Sequence, residues 1–257
     1  MGTGAITAYI DVAQIALYAF WVFFAGLIYY LHREDKREGY PLESDRSPNV
    51  NVRGFPDIPK PKTFRLRDGR IVMAPNFRVS KQVLGGTASA NHLGAPLTPT
   101  GDPMQAAIGP GSYADRADLV DTTVDGAPRI VPLRAAPGFG VVDRDPDPRG
   151  LPVVGLDNQV GGTVTDVWVD RAEAVFRYLE VEVAGAPAGT PHVLLPINFT
   201  RISRRRVKVR SILASQFAGV PTTAEPDKVT LLEEDKIMGY YGGGTLYAIP
   251  DRQEPLL

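Results

Sequence analysis

Residues 12–31 read VAQIALYAFWVFFAGLIYYL, and this stretch decides the architecture. Gln14 is its only strongly polar residue. At about 1.5 Å rise per residue, roughly 20 residues cross a hydrocarbon layer about 30 Å thick. No water is available there to satisfy backbone N–H and C=O groups, so the segment has to be helical. A single transmembrane helix is expected over residues 12–32, behind a short N-terminus of residues 1–11.

The flanks orient it. The first Lys or Arg of the chain is Arg33, followed at once by Lys36 and Arg37. Excess positive charge stays on the cytoplasmic side, which predicts a periplasmic N-terminus and a cytoplasmic bulk. Tyr29, Tyr30 and Arg33 stand where an amphipathic interface belt belongs. The absence of Lys and Arg from the N-terminus and the length of the apolar run argue against a cleaved signal peptide, and a buried core helix is the remaining alternative. Ala13, Ala16, Ala19 and the Ala25–Gly26 pair offer small surfaces for close helix packing, or they face lipid. No charge inside the span marks an ion route.

The 257 residues are 44% hydrophobic, with Gly 26 and Pro 23, a composition that suits a loop-rich, β-containing domain. Cysteine is absent, which excludes disulfides and thiolate chemistry. The three histidines, His32, His92 and His192, lack metal-ligand spacing, so no metal site is expected. Asp11 is the only acid before Arg33, and downstream the acids equal the 28 bases. That balance offers nucleic acid nothing to bind.

Residues 33–110 are expected to be extended and irregular, because GYPLE, PDIPKPKTF, GAPLTPTGDP and IGPG place Pro and Gly every few residues. A small hairpin is predicted from Thr63–Leu66 and Arg70–Met73 about Asp68–Gly69. Phe55, Ile58, Phe64 and Phe77 favour a segment draped over a partner surface, a flexible linker being the alternative. A globular domain is expected over 111–257. Within 151–210, alternating stretches at Val160–Val169 and Tyr178–Val183, then His192–Pro196, Ile202 and Arg206–Arg210, predict a small antiparallel barrel. A short helix is predicted near Ser211–Phe217, and a last one over Glu233–Tyr241, stopped by Gly242–Gly244.

Catalytic patterns are missing: there is no phosphate loop with its Lys, no nucleophile elbow and no acid–histidine spacing. Three charged stretches remain. Arg204–Arg206 with Lys208 and Arg210 either meets an anionic surface or is a solvated turn. Glu233–Lys236 either pairs with a basic partner or opens a helix in solvent. Asp170, Glu173 and Arg177, taken on spacing alone, form a surface ion pair at one barrel turn.

Ordered motifs add a resemblance over nearly the whole chain. FAGLIYYL at 24–31 is followed by REGYPLE at 37–43, PKPKTF at 59–64 and PTGDPMQAAIGPGSY at 99–113. RIVPLRAAPGF at 129–139, GLPVVG at 150–155, WVD at 168–170 and LLEEDKIMGYYGGGTLYAIP at 231–250 complete the series. In this order they resemble the H subunit of the photosynthetic reaction centre of purple bacteria, and 151–210 resembles its PRC-barrel module. The resemblance implies a non-catalytic subunit without pigment. It would cap the L and M subunits, which hold bacteriochlorophyll, bacteriopheophytin, quinones and non-haem iron, in the inner (intracytoplasmic) membrane. A cytochrome subunit and light-harvesting proteins are further partners in that setting. The resemblance also implies shielding of the quinones and proton uptake toward the secondary quinone. Glu173, Asp170 and Arg177 match positions below that quinone, with Glu173 the foremost relay group, and Asp125 matches an acid near the uptake point. Here Asp125-Gly-Ala-Pro-Arg129 is shorter than in some relatives and lacks their histidines. A membrane-tethered PRC-barrel adaptor for another assembly is the alternative reading.

Overall fold

The computed structural model describes residues 4, 6, 11–44, 47–67, 69–77, 83, 85–92 and 94–253. Two compact units divide it: Met1–Ser80 with His92–Gly94, and Lys81–Asn91 with Ala95–Leu257.

The first unit begins with helix α1, Val12–Asp35, which is long and apolar enough to cross a membrane. None of its residues is buried within the protein, so it is not a core helix. Asp11 caps its start, Oδ1 accepting from the Gln14 N–H at 2.7 Å. Tyr29, Tyr30 and Arg33 are exposed near its C-terminal end. The flanking cations are not all solvated, however. Lys36 is buried and donates to the carbonyls of Arg53 (2.7 Å) and Pro56 (2.6 Å). Arg37 pairs with Glu34 at 2.8 Å and donates to the carbonyls of Lys60 and Ala74. Those cations therefore clasp the chain that follows to the end of α1. Two short hairpins complete this unit: β1 (Leu42–Ser44) with β2 (Ser47–Val52), and β3 (Lys62–Arg65) with β4 (Ile71–Ala74). The second is the hairpin predicted from sequence; its turn residue Asp68 lies outside the described residues.

The second unit is mainly β. After the hairpin of β5 (Gly86–Ala88) and β6 (Leu97–Pro99) come β7 (Ile130–Pro132), β8 (Pro152–Val154), β9 (Val160–Asp170) and β10 (Val175–Val183). These are followed by β11 (Val193–Pro196), β12 (Thr200–Ile202) and β13 (Val207–Val209). The strands run β11-β10-β9-β8-β13-β12 in one curled, half-barrel sheet, with β7 also on β9. Strand β9 is long enough for β8 to pair with its first half and β7 with its last, both on one edge, while β10 takes the other. One pair, β8 with β13, is parallel, a detail no local pattern revealed. Nor does β9 simply alternate. It is buried almost throughout, and both the Leu133–Ala135 turn and Phe217 pack close to it. Trp168, Leu179, Leu195, Ile212, Phe217, Ile237 and Tyr241 form the core.

Helix α2, Leu231–Tyr247, opens on a reciprocal cap: Thr230 Oγ1 accepts from the Glu233 N–H, and the Glu233 carboxylate accepts from the Thr230 N–H at 2.8 Å. Contrary to the sequence expectation, the helix does not stop at Gly242–Gly244. Those glycines allow close packing. A Cβ on Gly242 would lie 2.5 Å from Pro110 O, and one on Gly244 would lie 2.5 Å from Ser211 O. The predicted short helix near Ser211–Phe217 is a 3-10 segment, Ala214–Gly219.

Candidate functional site

Asp170 ends β9 and is fully buried. Its carboxylate accepts from Arg129 Nε at 2.9 and 3.0 Å and from the N–H groups of Ala172 (3.0 Å) and Glu173 (3.1 Å). The aspartate thus shapes the β9–β10 turn as an Asx-type turn does. Arg129 also donates to Asp121 (Nη1 to Oδ2, 3.3 Å) and to Glu173. One guanidinium therefore gathers three carboxylates. Burial by itself would push Asp170 upward. The Arg129 guanidinium and the backbone N–H groups of Glu173 and Ala172 outweigh it, holding the carboxyl below the usual carboxylate range.

Asp170 and Arg129 line a cleft of about 480 Å³ with Asp121, Arg177, Tyr178 and Glu234. Glu234 is buried in the first turn of α2 and accepts from the Tyr178 hydroxyl at 2.7 Å. Burial raises Glu234 above the usual carboxylate range, against the opposing pull of the Tyr178 hydroxyl and of the Arg177 and Arg116 charges. Arg177 is exposed at a bulge: Phe176 faces Val169 and Tyr178 faces Trp168, leaving Arg177 as the extra residue.

The positions singled out from sequence are thus partly assembled. Asp170 and Glu173 meet through Arg129, and Asp170 shares the cleft with Arg177. The cation that pairs with the two acids is Arg129, not Arg177, which corrects the local ion pair read from spacing. Asp125 is exposed at the tip of a turn closed by the Thr122–Pro128 bridge. The base of that same turn supplies Asp121 and Arg129, joined by a backbone hydrogen bond of 2.8 Å. The stretch Glu233–Lys236 is likewise more than a solvated helix start: Glu233 caps, Glu234 enters the cleft and Asp235 meets Arg116 at 3.4 Å. Sequence reasoning missed Arg129, Asp121, Tyr178 and Glu234 as members of one site. Two of them carried a signal: Arg129 as the first residue of RIVPLRAAPGF, and Glu234 inside LLEEDKIMGYYGGGTLYAIP and the charged stretch Glu233–Lys236.

A second network lies across β9 and β10. Asp166 and Glu180 face each other in the ladder and are both buried, a repulsive pair by itself. Arg134 Nη1 bridges them, 3.2 Å from Asp166 and 2.7 Å from Glu180. Trp168 Nε1 donates to Glu180 at 2.8 Å, and His192 Nδ1 lies 2.7 Å from its other oxygen. Burial opposes the charge on Glu180, but the hydrogen bonds from His192, Arg134 and Trp168 prevail and hold it below the usual range.

Two family models match the chain. The photosynthetic reaction centre H-chain N-terminal region matches residues 4–135, just over half of the chain, and the PRC-barrel domain matches residues 140–216. The first spans α1, the extended segment and β7 with Arg129; the second spans β8 to β13, with Asp170 and Glu173. The apolar N-terminal helix and its Pro-rich follower thus lie within the first match, and most of the half-barrel lies within the second. The chain belongs to the photosynthetic reaction centre H-chain family, whose members are structural, non-pigment subunits of a membrane-bound reaction centre.

Proposed function

We propose that this subunit caps the cytoplasmic side of the L and M subunits, shields their quinone sites from water and carries protons toward the secondary quinone. The periplasmic N-terminus and the inner-membrane location belong to the same reading. The observation that supports it best is the Arg129-centred cluster beside a cleft that also holds the buried Glu234.

Reducing a buried quinone to quinol consumes two protons, so a sealed site needs titratable groups or waters to deliver them. The cluster divides that work by environment. Asp170, held ionised, serves as a fixed negative charge that favours cations and protons nearby. Glu173 is about half exposed and tied to Arg129, which suits a group that takes protons from bulk water. Glu234, buried and raised, holds a proton more readily at neutral pH. Asp125, at its exposed turn, can collect protons at the surface.

In the assembled complex, Glu173→Gln is expected to slow proton-coupled transfer of the second electron on the order of tenfold. A single acid–base group can supply 10²–10⁴, and parallel carboxylates remain here. An unchanged rate across pH would return Glu173 to a purely structural ion pair. Purification of the native complex tests the wider reading: bound bacteriochlorophyll and two hydrophobic partner chains are expected.

A further inference from the structure

The basic stretch Arg201–Arg210 is not used by the cleft described above. Residues 200–210 contain Arg201, Arg204, Arg205, Arg206, Lys208 and Arg210 and no acid. They form the β12–β13 hairpin at the free edge of the sheet. Beside it, closed by Thr245 of α2 and Arg252, is a groove of about 600 Å³. Arg201, Lys208, Arg210 and Arg252 line it, and no carboxylate does.

A surface cation is normally solvated or paired, and several cations elsewhere in this unit are paired with carboxylates. Arg129 and Arg134 each meet three carboxylates, and Arg116 and Arg149 one each. The groove is different. Lys208 Nζ donates to the carbonyl of Gly155 and to Asn158 Oδ1 (2.9 Å). Arg252 donates to the carbonyls of Gly244 (2.8 Å) and Arg210 (2.7 Å). Neutral acceptors fix these two cations in place and leave their charge uncompensated. The side chains of Arg201 and Arg210 have no bonded partner among the described residues. A second, independent feature marks the same place. Ser211 is 4% exposed, lines the groove, and its Oγ has no hydrogen-bond partner. An orphaned buried hydroxyl costs about 1–3 kcal/mol, so native proteins rarely keep one without a use. The hydroxyls of Thr200 and Thr245 already donate to carbonyls, which leaves Ser211 as the unused hydroxyl donor.

We infer that this groove binds a phosphate group, carried by a soluble ester or by an acidic lipid headgroup. Tetrahedral phosphate oxygens accept from guanidinium forks and a hydroxyl together, and Arg201 and Arg210 supply the two forks not already engaged.

The test uses the full chain in phosphatidylcholine nanodiscs, titrated with inorganic pyrophosphate, and in nanodiscs that also contain phosphatidylglycerol, followed by phosphorus NMR. Saturable pyrophosphate binding, weakened at least tenfold by Arg201→Ala/Arg210→Ala and less than twofold by Arg204→Ala/Arg205→Ala, would establish a soluble phosphate site. Broadening of the phosphatidylglycerol resonance alone, lost only in the groove variant, would assign the site to a lipid headgroup. Ser211→Ala is expected to weaken binding about threefold without lowering the melting temperature. Equal losses in the two double variants would reduce the effect to diffuse surface charge and overturn the inference, as would no binding in either arm.

Discussion

Tyr178 donates its hydroxyl to Glu234 at 2.7 Å, both residues buried, and so ties β10 to the first turn of α2 at the edge of the cleft. The bond lowers the cost of burying Glu234 but does not remove it, and the carboxyl stays above its usual range.

That imbalance sets a pH dependence. The folded-state value of Glu234 is raised, so the folded form binds its proton more tightly than the unfolded chain does. The associated stability is fully present below the ordinary carboxylate range and is lost as pH rises through the raised folded value. In Glu234→Gln that loss disappears, and the melting temperature is expected to decline less between acidic and neutral pH than in the parent. Parallel curves for parent and variant would show that Glu234 is not raised.

Arg129→Ala should act with the opposite sign. Asp170 is held low, so its contribution is present above the ordinary carboxylate range and is lost as pH falls through the folded value. Removing Arg129 leaves Asp170 buried without its cation, at an expected cost of about 3 kcal/mol near neutrality. The cost should shrink in acid, where Asp170 is protonated, and Asp170→Asn should rescue part of it. Chemical denaturation of the two variants at neutral and acidic pH measures both effects.

Arg134→Ala should leave Asp166 and Glu180 facing each other unbridged, again costing about 3 kcal/mol. The chain has two tryptophans, and Trp168 is the one that donates to Glu180. Its emission should move to longer wavelength in the variant, which a substitution far from the network would not cause.

Gly244→Ala raises helix propensity by about 1 kcal/mol. It also drives a methyl to 2.4 Å from Ile212 Cγ2 and 2.5 Å from Ser211 O. Because the second neighbour is backbone, the clash should win, with a net loss of about 1–2 kcal/mol in thermal or denaturant unfolding.

Gly26 tests the face of α1. A Cβ there meets nothing within 4 Å in this chain, so Gly26→Ala should leave the isolated subunit unchanged. Loss of thermal stability only in the assembled complex would place Gly26 against another helix; no loss would place it toward lipid.

The membrane helix was legible from residues 12–31 because bilayer thickness and backbone satisfaction act on consecutive residues. The hairpin about Gly69 and the later strands of the half-barrel, from β9 to β13, were legible for a similar local reason, turn residues and short apolar stretches being short-range signals; β7 and β8, three residues each, were not read as strands. The start of α2 was read at Glu233, two residues inside the observed start at Leu231, because Glu233 belongs to the reciprocal cap with Thr230. Its end was not legible, because glycine stops a helix only where nothing packs on it, and here Pro110 and Ser211 come within reach. The candidate site divides in the same way. Asp170 and Glu173 are neighbours in sequence, but their cation lies 41 residues before Asp170. Tyr178 and Glu234 are separated by 56 residues. Charge pairing and burial depend on distance in space, so only the tertiary structure decided which acids are held below the usual carboxylate range and which is raised above it. By itself the sequence determined one apolar helix and a β-rich remainder. The fold chose the partners of the charges.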